Sequence, residues 1–226
     1  MRILFLIPIC LVGAMLQAVF IVTEKMEMYK KAVVLKGFAS LFFVAIGVFA
    51  ALTKPSLFTL LIALGLGFGL IGDVCLNLRL VLKNGKAVFL SGIAAFLIGH
   101  ILYLVAMALS IKNLIVLLIS AVAGVALASG LLVWIFKNIT AQKVFKIFGI
   151  FYVGAVVLMT AVAAGTVLTH FSISSLVFLI GAVLFTASDV ILIFNMFSEK
   201  KKAWMRPTNL SLYYLGQLLI AMSLFL

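Results

Sequence analysis

Long runs of apolar residues, interrupted by lysine, arginine, proline or asparagine, follow one another from end to end of the chain. Crossing about 30 Å of hydrocarbon takes roughly 20 apolar residues in a helix. Eight runs of that size can be cut: Ile3 to Val22, Ala32 to Leu52, Leu57 to Leu78, Ala87 to Leu109, Leu114 to Phe136, Ile147 to Leu168, Ser175 to Phe197 and Asn209 to Leu226. The pattern predicts an all-α polytopic membrane protein with eight transmembrane helices. The first run, with Arg2 ahead of it, exceeds the usual signal-peptide core of about 7 to 15 residues and reads as a span. The loops are short and carry no linker, low-complexity tract or soluble insertion. Residues 1–226 therefore read as a single transmembrane domain whose chemistry must lie in the spans.

Composition agrees. Of 226 residues, 67% are apolar and 10% charged, against about 25% charged in a soluble domain, which excludes a soluble globular enzyme. The formal charge of +12 would suggest nucleic acid in a polar chain, but here the cations sit between apolar runs. Loops one, three, five and seven hold Lys25, Lys30, Lys31; Arg79, Lys83, Lys86; Lys137, Lys143, Lys146; and Lys200, Lys201, Lys202, Arg206. The opposite side holds Arg2, Lys54 and Lys112. Translocated short loops are poor in Lys and Arg, so both termini are expected outside and the odd loops in the cytoplasm, as in a bacterial cytoplasmic membrane. The charge is then topological, with attraction to anionic lipid headgroups as a consequence, and no nucleic-acid partner is expected. Cys10 and Cys75, both in apolar stretches, form no CxxC pair and read as packing residues. The triplets at Asn138 and Asn209 match a glycosylation acceptor, but both lie on the expected cytoplasmic side.

The two halves, 1–110 and 111–226, resemble one another. GDVCL at Gly72 to Leu76 matches SDVIL at Ser188 to Leu192, which places the only two aspartates, Asp73 and Asp189, 116 positions apart. Nearly the same offset lays His100 over Gln217 and Lys36 over Tyr152. Four spans per half preserve orientation, so a 4+4 parallel repeat is expected, with its pseudo-two-fold axis along the membrane normal.

Ionisable groups within a bilayer are costly and usually face a protein interior or watery cavity. Lys36, Asp73, His100 and Asp189 are of this kind. At 1.5 Å per residue from the nearest charged loop residue, Asp73 lies about 9 Å deep, Asp189 about 15 Å and His100 about 21 Å. Spans of opposite direction thus bring these residues into the cytoplasmic half, where one inward-opening cavity is expected. Asp73 and Asn77 are four apart, and His100 with Tyr103 and Tyr214 with Gln217 are three apart, so each pair shares a helix face. Gly65, Gly69 and Gly72 form a stripe permitting tight helix contact near Asp73.

No G-x-S-x-G, HExxH or GxxxxGK occurs, and two histidines, His100 and the outside-loop His170, cannot make a three-His zinc site. What remains is two carboxylic acids in unequal surroundings, the equipment of general acid and base catalysis. No metal and no organic cofactor is required. A proton-coupled transporter and a non-catalytic lipid-binding membrane protein are alternatives on these residues alone.

GDVCLNL, FLIGHILY, FYVGAVVLM, SDVILIFNMF and YYLGQLLIA, in this order between Lys36 and Ala221, resemble the signature segments of the YhhN-like membrane proteins, which include the animal lysoplasmalogenases. One departure is that Lys36 is followed by Gly37 where the family often has Lys-Pro. The resemblance implies hydrolysis of the vinyl-ether bond of a lysophospholipid, a lysoplasmalogen, giving a fatty aldehyde and glycerophosphoethanolamine or glycerophosphocholine. It implies Asp73 and Asp189 as the catalytic pair. His100, Tyr152, Tyr214 and Gln217 would be hydrogen-bonding supports, with Asn77 and Asn195 beside them, and Lys36 a partner for phosphate or carboxylate.

Overall fold

The computed structural model describes residues 2–226, with side chains from Ile7 onward. Among the described residues there are eight helices and no strand: α1 (Arg2–Lys25), α2 (Tyr29–Thr53), α3 (Leu57–Leu78), α4 (Gly85–Ser110), α5 (Leu114–Asn138), α6 (Lys143–Thr169), α7 (Ile173–Phe197) and α8 (Met205–Ser223). Each apolar run is a helix because lipid offers no partner to a bare N–H or C=O, and the helix satisfies both internally. The expected run at Leu57 to Leu78 coincides with α3, whereas α6 starts four residues before its apolar run, at Lys143. Cationic turns of this kind extend a helix past the hydrocarbon toward the headgroups.

Seven helices, α1 through α7, are long and apolar enough to cross a membrane. The expected eighth span falls on α8, which starts at Met205 and is less apolar than the rest. The cause lies in its first turn, with Arg206, Pro207 and Thr208, and in its inward face, where Asn209, Tyr213, Tyr214 and Gln217 are all buried in the bundle. Pro207 sits in the first turn of α8, where its missing N–H costs nothing.

Helix ends follow local chemistry. Ser56 accepts from the Thr59 N–H while Thr59 reaches back to the Ser56 N–H, a reciprocal box that starts α3. Ser172 and Ser175 start α7 in the same way, 116 residues later. Glu27 at φ 59° turns the chain between α1 and α2 in the left-handed conformation that commonly closes a helix.

α2, α3, α4, α6, α7 and α8 enclose the polar centre in that order, with α8 closing back on α2. α1 covers the α2/α8 seam, and α5 lies outside, packed chiefly on α6. Side chains such as Leu114, Ile119, Val122 and Leu127 accordingly project from α5 into the surroundings. The closest crossings are α3 with α4 and α7 with α8, and each is made by a glycine pair. A Cβ at Gly99 would meet the Gly65 carbonyl oxygen at 3.0 Å, and Cβ atoms at Gly181 and Gly216 would each meet the other's carbonyl oxygen at 2.8 Å. Gly181 follows Gly65 by 116 positions, and Gly216 follows Gly99 by 117.

Those crossings yield a stability prediction. Gly181→Ala and Gly216→Ala force backbone apart and are expected to cost about 1–3 kcal/mol each. Gly67→Ala and Gly130→Ala, where a Cβ meets nothing within 4 Å, are expected to be neutral or slightly stabilising because alanine is the better helix former. Thermal unfolding in detergent checks the contrast, and equal effects at all four positions would contradict it.

Candidate functional site

Asp73, in the second-last turn of α3, is reached by three donors. Its Oδ2 accepts from the Tyr213 hydroxyl at 2.7 Å and from the Ser40 hydroxyl, and its Oδ1 stands 3.4 Å from the Lys36 ammonium. Lys36 also donates to Gln17 Oε1 at 3.2 Å, and its ammonium lies 4.5 Å above the Tyr213 ring. Lys36 is 2% exposed and Asp73 4%. A further line of donors ends on the same carboxylate: Tyr103 donates to Gln217 Oε1 at 2.9 Å, Gln217 Nε2 to the Tyr213 hydroxyl at 3.5 Å, and Tyr213 to Asp73. With only donors around it, Asp73 has the setting of a carboxylate anion.

Asp189 on α7 is held differently. Its Oδ2 accepts from the Tyr152 hydroxyl at 2.8 Å, and His100 Nε2 stands 3.8 Å away, beyond hydrogen-bonding reach. Oδ1 of Asp189 has no hydrogen-bond partner among the described residues. Both ring nitrogens of His100 are buried and likewise unpartnered there. The imidazole is instead packed edge-on to Phe185 at 4.5 Å between ring centres, with Tyr152 at 5.4 Å. The neighbouring Ser188 exchanges hydrogen bonds with Asn209: the Asn209 amide donates to the Ser188 carbonyl at 2.8 Å, and the Ser188 hydroxyl to the Asn209 carbonyl at 3.0 Å. These bonds fix α8 against α7.

Both aspartates line one cavity of about 30 Å³, together with Lys36, Asn77, Tyr152 and Tyr213, room for a water molecule beside them. Beside it lies an almost wholly apolar pocket of about 60 Å³ between α4, α5, α6 and α7. Leu76, Phe96, Tyr152 and Leu192 line both spaces. The polar cavity lies in the half of the bundle adjoining loops one, three, five and seven, as the positions of its lining residues along α2, α3, α6, α7 and α8 dictate.

Of the residues singled out from sequence, Lys36, Asp73, Asn77, Tyr152 and Asp189 line this cavity. His100 and Gln217 stand behind it, against Asp189 and Tyr213 respectively. Lys36 contacts carboxylate. Tyr214 turns away and donates to the Ala39 carbonyl at 3.2 Å, and Asn195, half-buried on α7, lines neither space. Asn209 is 3% exposed and bonded to Ser188, so it is unavailable to a glycosyl group.

Sequence reading missed Ser40, Tyr213, Gln17 and Arg206. Ser40 is four residues beyond Lys36 and Tyr213 four before Gln217, so helical spacing pointed to both. Spacing three selects Tyr214 instead. Gln17 carried no signal, and Arg206 was counted as loop charge, yet it lines the cavity. Among the described residues no group of three His, Cys, Asp or Glu stands together as a metal site needs.

The sequence model of the YhhN family matches residues 31–224. No curated protein and no solved structure matches the chain.

The ion pair yields a second prediction. Removing one member of a buried pair leaves the other charge uncompensated, so Lys36→Met is expected to destabilise by about 3–5 kcal/mol. Adding Asp73→Asn to Lys36→Met should recover part of that loss. Unfolding of the two single variants and the double variant in detergent measures the coupling, and strict additivity would show that the pair contributes nothing.

Proposed function

The chain belongs to the YhhN family, and from that premise we propose that it is a membrane-embedded lysoplasmalogenase, an ether hydrolase acting through Asp73 and Asp189. The observation that carries this reading is the pairing of two differently partnered carboxylates in one small polar cavity whose wall is shared with an apolar pocket. A lysoplasmalogen has the matching form: a reactive vinyl ether between a polar glycerol end and a single hydrocarbon tail.

Cleavage begins by protonating the outer alkene carbon. Asp189, with Oδ1 free of protein partners, is the proposed acid. The alkene π pair forms the new C–H bond, and positive charge develops as an oxocarbenium ion at the ether carbon. Asp73, ringed by Lys36, Ser40 and Tyr213, is the proposed anion facing that charge, by analogy with paired carboxylates in glycoside cleavage. Water adds to the oxocarbenium carbon and gives its proton to Asp189, restoring the acid. The resulting hemiacetal breaks its C–O bond as its hydroxyl proton passes to the glycerol oxygen, releasing aldehyde and glycerophosphoalcohol. Between the proton transfers, His100 at 3.8 Å is placed to close on the ionised Asp189.

The finer architecture belongs to the same proposal. We read α8 as an eighth span, its 19 residues covering about 28 Å, with both termini outside and the cavity in the cytoplasmic half of a bacterial cytoplasmic membrane. The Lys and Arg distribution supports that orientation. A 4+4 repeat is supported by the paired serine caps, the paired glycine crossings and the paired aspartates, all at an offset of 116 or 117.

Purified protein in detergent is expected to release fatty aldehyde from an alkenyl lysolipid and none from its saturated ether analogue, with or without EDTA. Asp73→Asn and Asp189→Asn should each lower turnover by about 10² or more, Asp189→Asn with little loss of stability and Asp73→Asn at the further cost of leaving the Lys36 ammonium unpaired, so turnover is compared at equal folded fractions. Tyr213→Phe should cost about tenfold through the hydrogen bond it makes to Asp73, more than Tyr214→Phe, whose bond is to backbone. Near-normal aldehyde release by both Asn variants would overturn the acid and anion assignments. Absence of release by the native protein would overturn the activity.

A further inference from the structure

At the lysine-rich end of the bundle, one guanidinium group lines the polar cavity and a second rests on two residues of the apolar pocket. Arg206, in the first turn of α8, lines the polar cavity. It donates through Nε to Glu24 Oε2 at 2.9 Å and through Nη2 to Glu24 Oε1 at 2.5 Å. Both Glu24 oxygens are thus taken, while Nη1 of Arg206 has no protein partner among the described residues. Arg79 follows α3 directly, two residues beyond the cavity-lining Asn77. Its guanidinium lies 4.7 Å above the Phe89 ring, and Nη2 reaches only the Met196 sulfur, at 3.1 Å. Phe89 and Met196 both line the apolar pocket.

Arg79 is anomalous on physical grounds. A half-buried guanidinium offers five N–H donors in a rigid fork, and this one has a thioether, a weak acceptor, as its one hydrogen-bond partner. No carboxylate pairs with it among the described residues. Burial, followed by the like charge of Arg206, pushes its pKa down to about 10, which leaves it a cation at neutral pH. After Glu24 is counted, the Arg79/Arg206 pair carries one positive charge in excess at the rim. That rim adjoins a polar cavity on one side and an apolar pocket on the other.

We propose that Arg79 and Arg206 form a subsite for a phosphodiester, which holds the glycerophosphate headgroup of the lysolipid while its chain enters the apolar pocket. The proposal rests on the lysolipid reading given above. One monoanionic phosphodiester matches the single excess charge. Its two non-bridging oxygens match the fork of Arg79 and the free Nη1 of Arg206. Three glycerol carbons join that phosphate to the ether oxygen, so an anchored headgroup places the vinyl ether inward, toward the aspartates. Free phosphate offers the same oxygens without the chain, and the two sources are separable.

The test measures binding and turnover separately in detergent, on the full chain. Binding uses a saturated 1-O-alkyl lysophosphoethanolamine, which cannot be hydrolysed, the 1-O-alkylglycerol of the same chain length, and inorganic phosphate. The native protein is expected to prefer the phosphodiester over the alkylglycerol by about tenfold or more, and inorganic phosphate should bind far more weakly than either. Arg79→Met should reduce the preference by about tenfold to hundredfold, with Arg79→Lys in between. In turnover of the alkenyl lysolipid, Arg79→Met should raise KM more than it lowers kcat. An unchanged preference in Arg79→Met, or equal weakening of both lipids, would overturn the subsite. Inorganic phosphate binding as tightly as the lysolipid would overturn the headgroup assignment. Arg79-dependent binding without aldehyde release by the native protein would overturn the hydrolase reading and leave the subsite standing. A kcat/KM for aldehyde release left unchanged by Arg79→Met would do the reverse.

Discussion

Burying Lys36 and Asp73 inside an apolar bundle costs several kcal/mol per charge unless protein groups replace the lost water. The replacements come from four helices. α1 supplies Gln17 to the ammonium, α2 supplies Ser40, α3 carries the carboxylate itself, and α8 supplies Tyr213 both as hydroxyl donor and as an aromatic face under the ammonium. Gln17 in turn donates to the Leu210 carbonyl at 3.3 Å, so satisfying one charge also ties α1 to α8. Apolar packing alone is weakly directional between helices in lipid, where tails are as apolar as leucine. A polar pair with four contributing helices fixes their register far more sharply than matching greasy surfaces would.

The same constraint separates the two aspartates. Around Asp73 every neighbour donates, and the chain Tyr103, Gln217, Tyr213 adds a polarised line of hydrogen bonds behind the last donor. Around Asp189 there is one close hydroxyl and a histidine held just out of reach by the rings of Phe185 and Tyr152. Two chemically identical groups at matched sequence positions therefore sit in unlike surroundings. Such inequality is what acid and base roles require, because two equivalent carboxylates would compete for the same state.

Much of this is legible in the amino-acid sequence itself. Apolar runs mark the helices because charge, proline and asparagine cannot be spent carelessly inside lipid, and the aspartates are conspicuous for the same reason. What stayed hidden was facing. Tyr213 and Tyr214 are adjacent, so their side chains diverge by about 100° around the helix, and only the packing of α8 against α3 decides which meets Asp73. Ser40 and Gln17 are cheap enough in a helix to pass for filler. α8 shows the opposite effect: its polar first turn and its buried polar face together lower its apolarity below that of the other seven helices although it sits in the core. Arg206 reads as loop charge because a sequence count cannot tell a solvated cation from one on the first turn of a helix beside a cavity.

Arg206 and Arg79 also qualify the meaning of the chain's positive charge. Most of the lysines at that end are exposed, as topology alone would have them. The two arginines are instead drawn inward, one locked by Glu24 and one resting on an aromatic ring and a sulfur. Guanidinium tolerates such a position better than ammonium because it is more weakly hydrated and stacks on aromatic faces. The end of the bundle thus grades over a few residues from solvated lysine, through half-buried arginine, to the fully buried Lys36–Asp73 pair. An amphiphile with a phosphate headgroup entering there meets cations first and, behind them, the carboxylic acids of the polar cavity and the apolar pocket side by side, three surfaces that match the phosphate, the glycerol ether and the tail of a lysolipid.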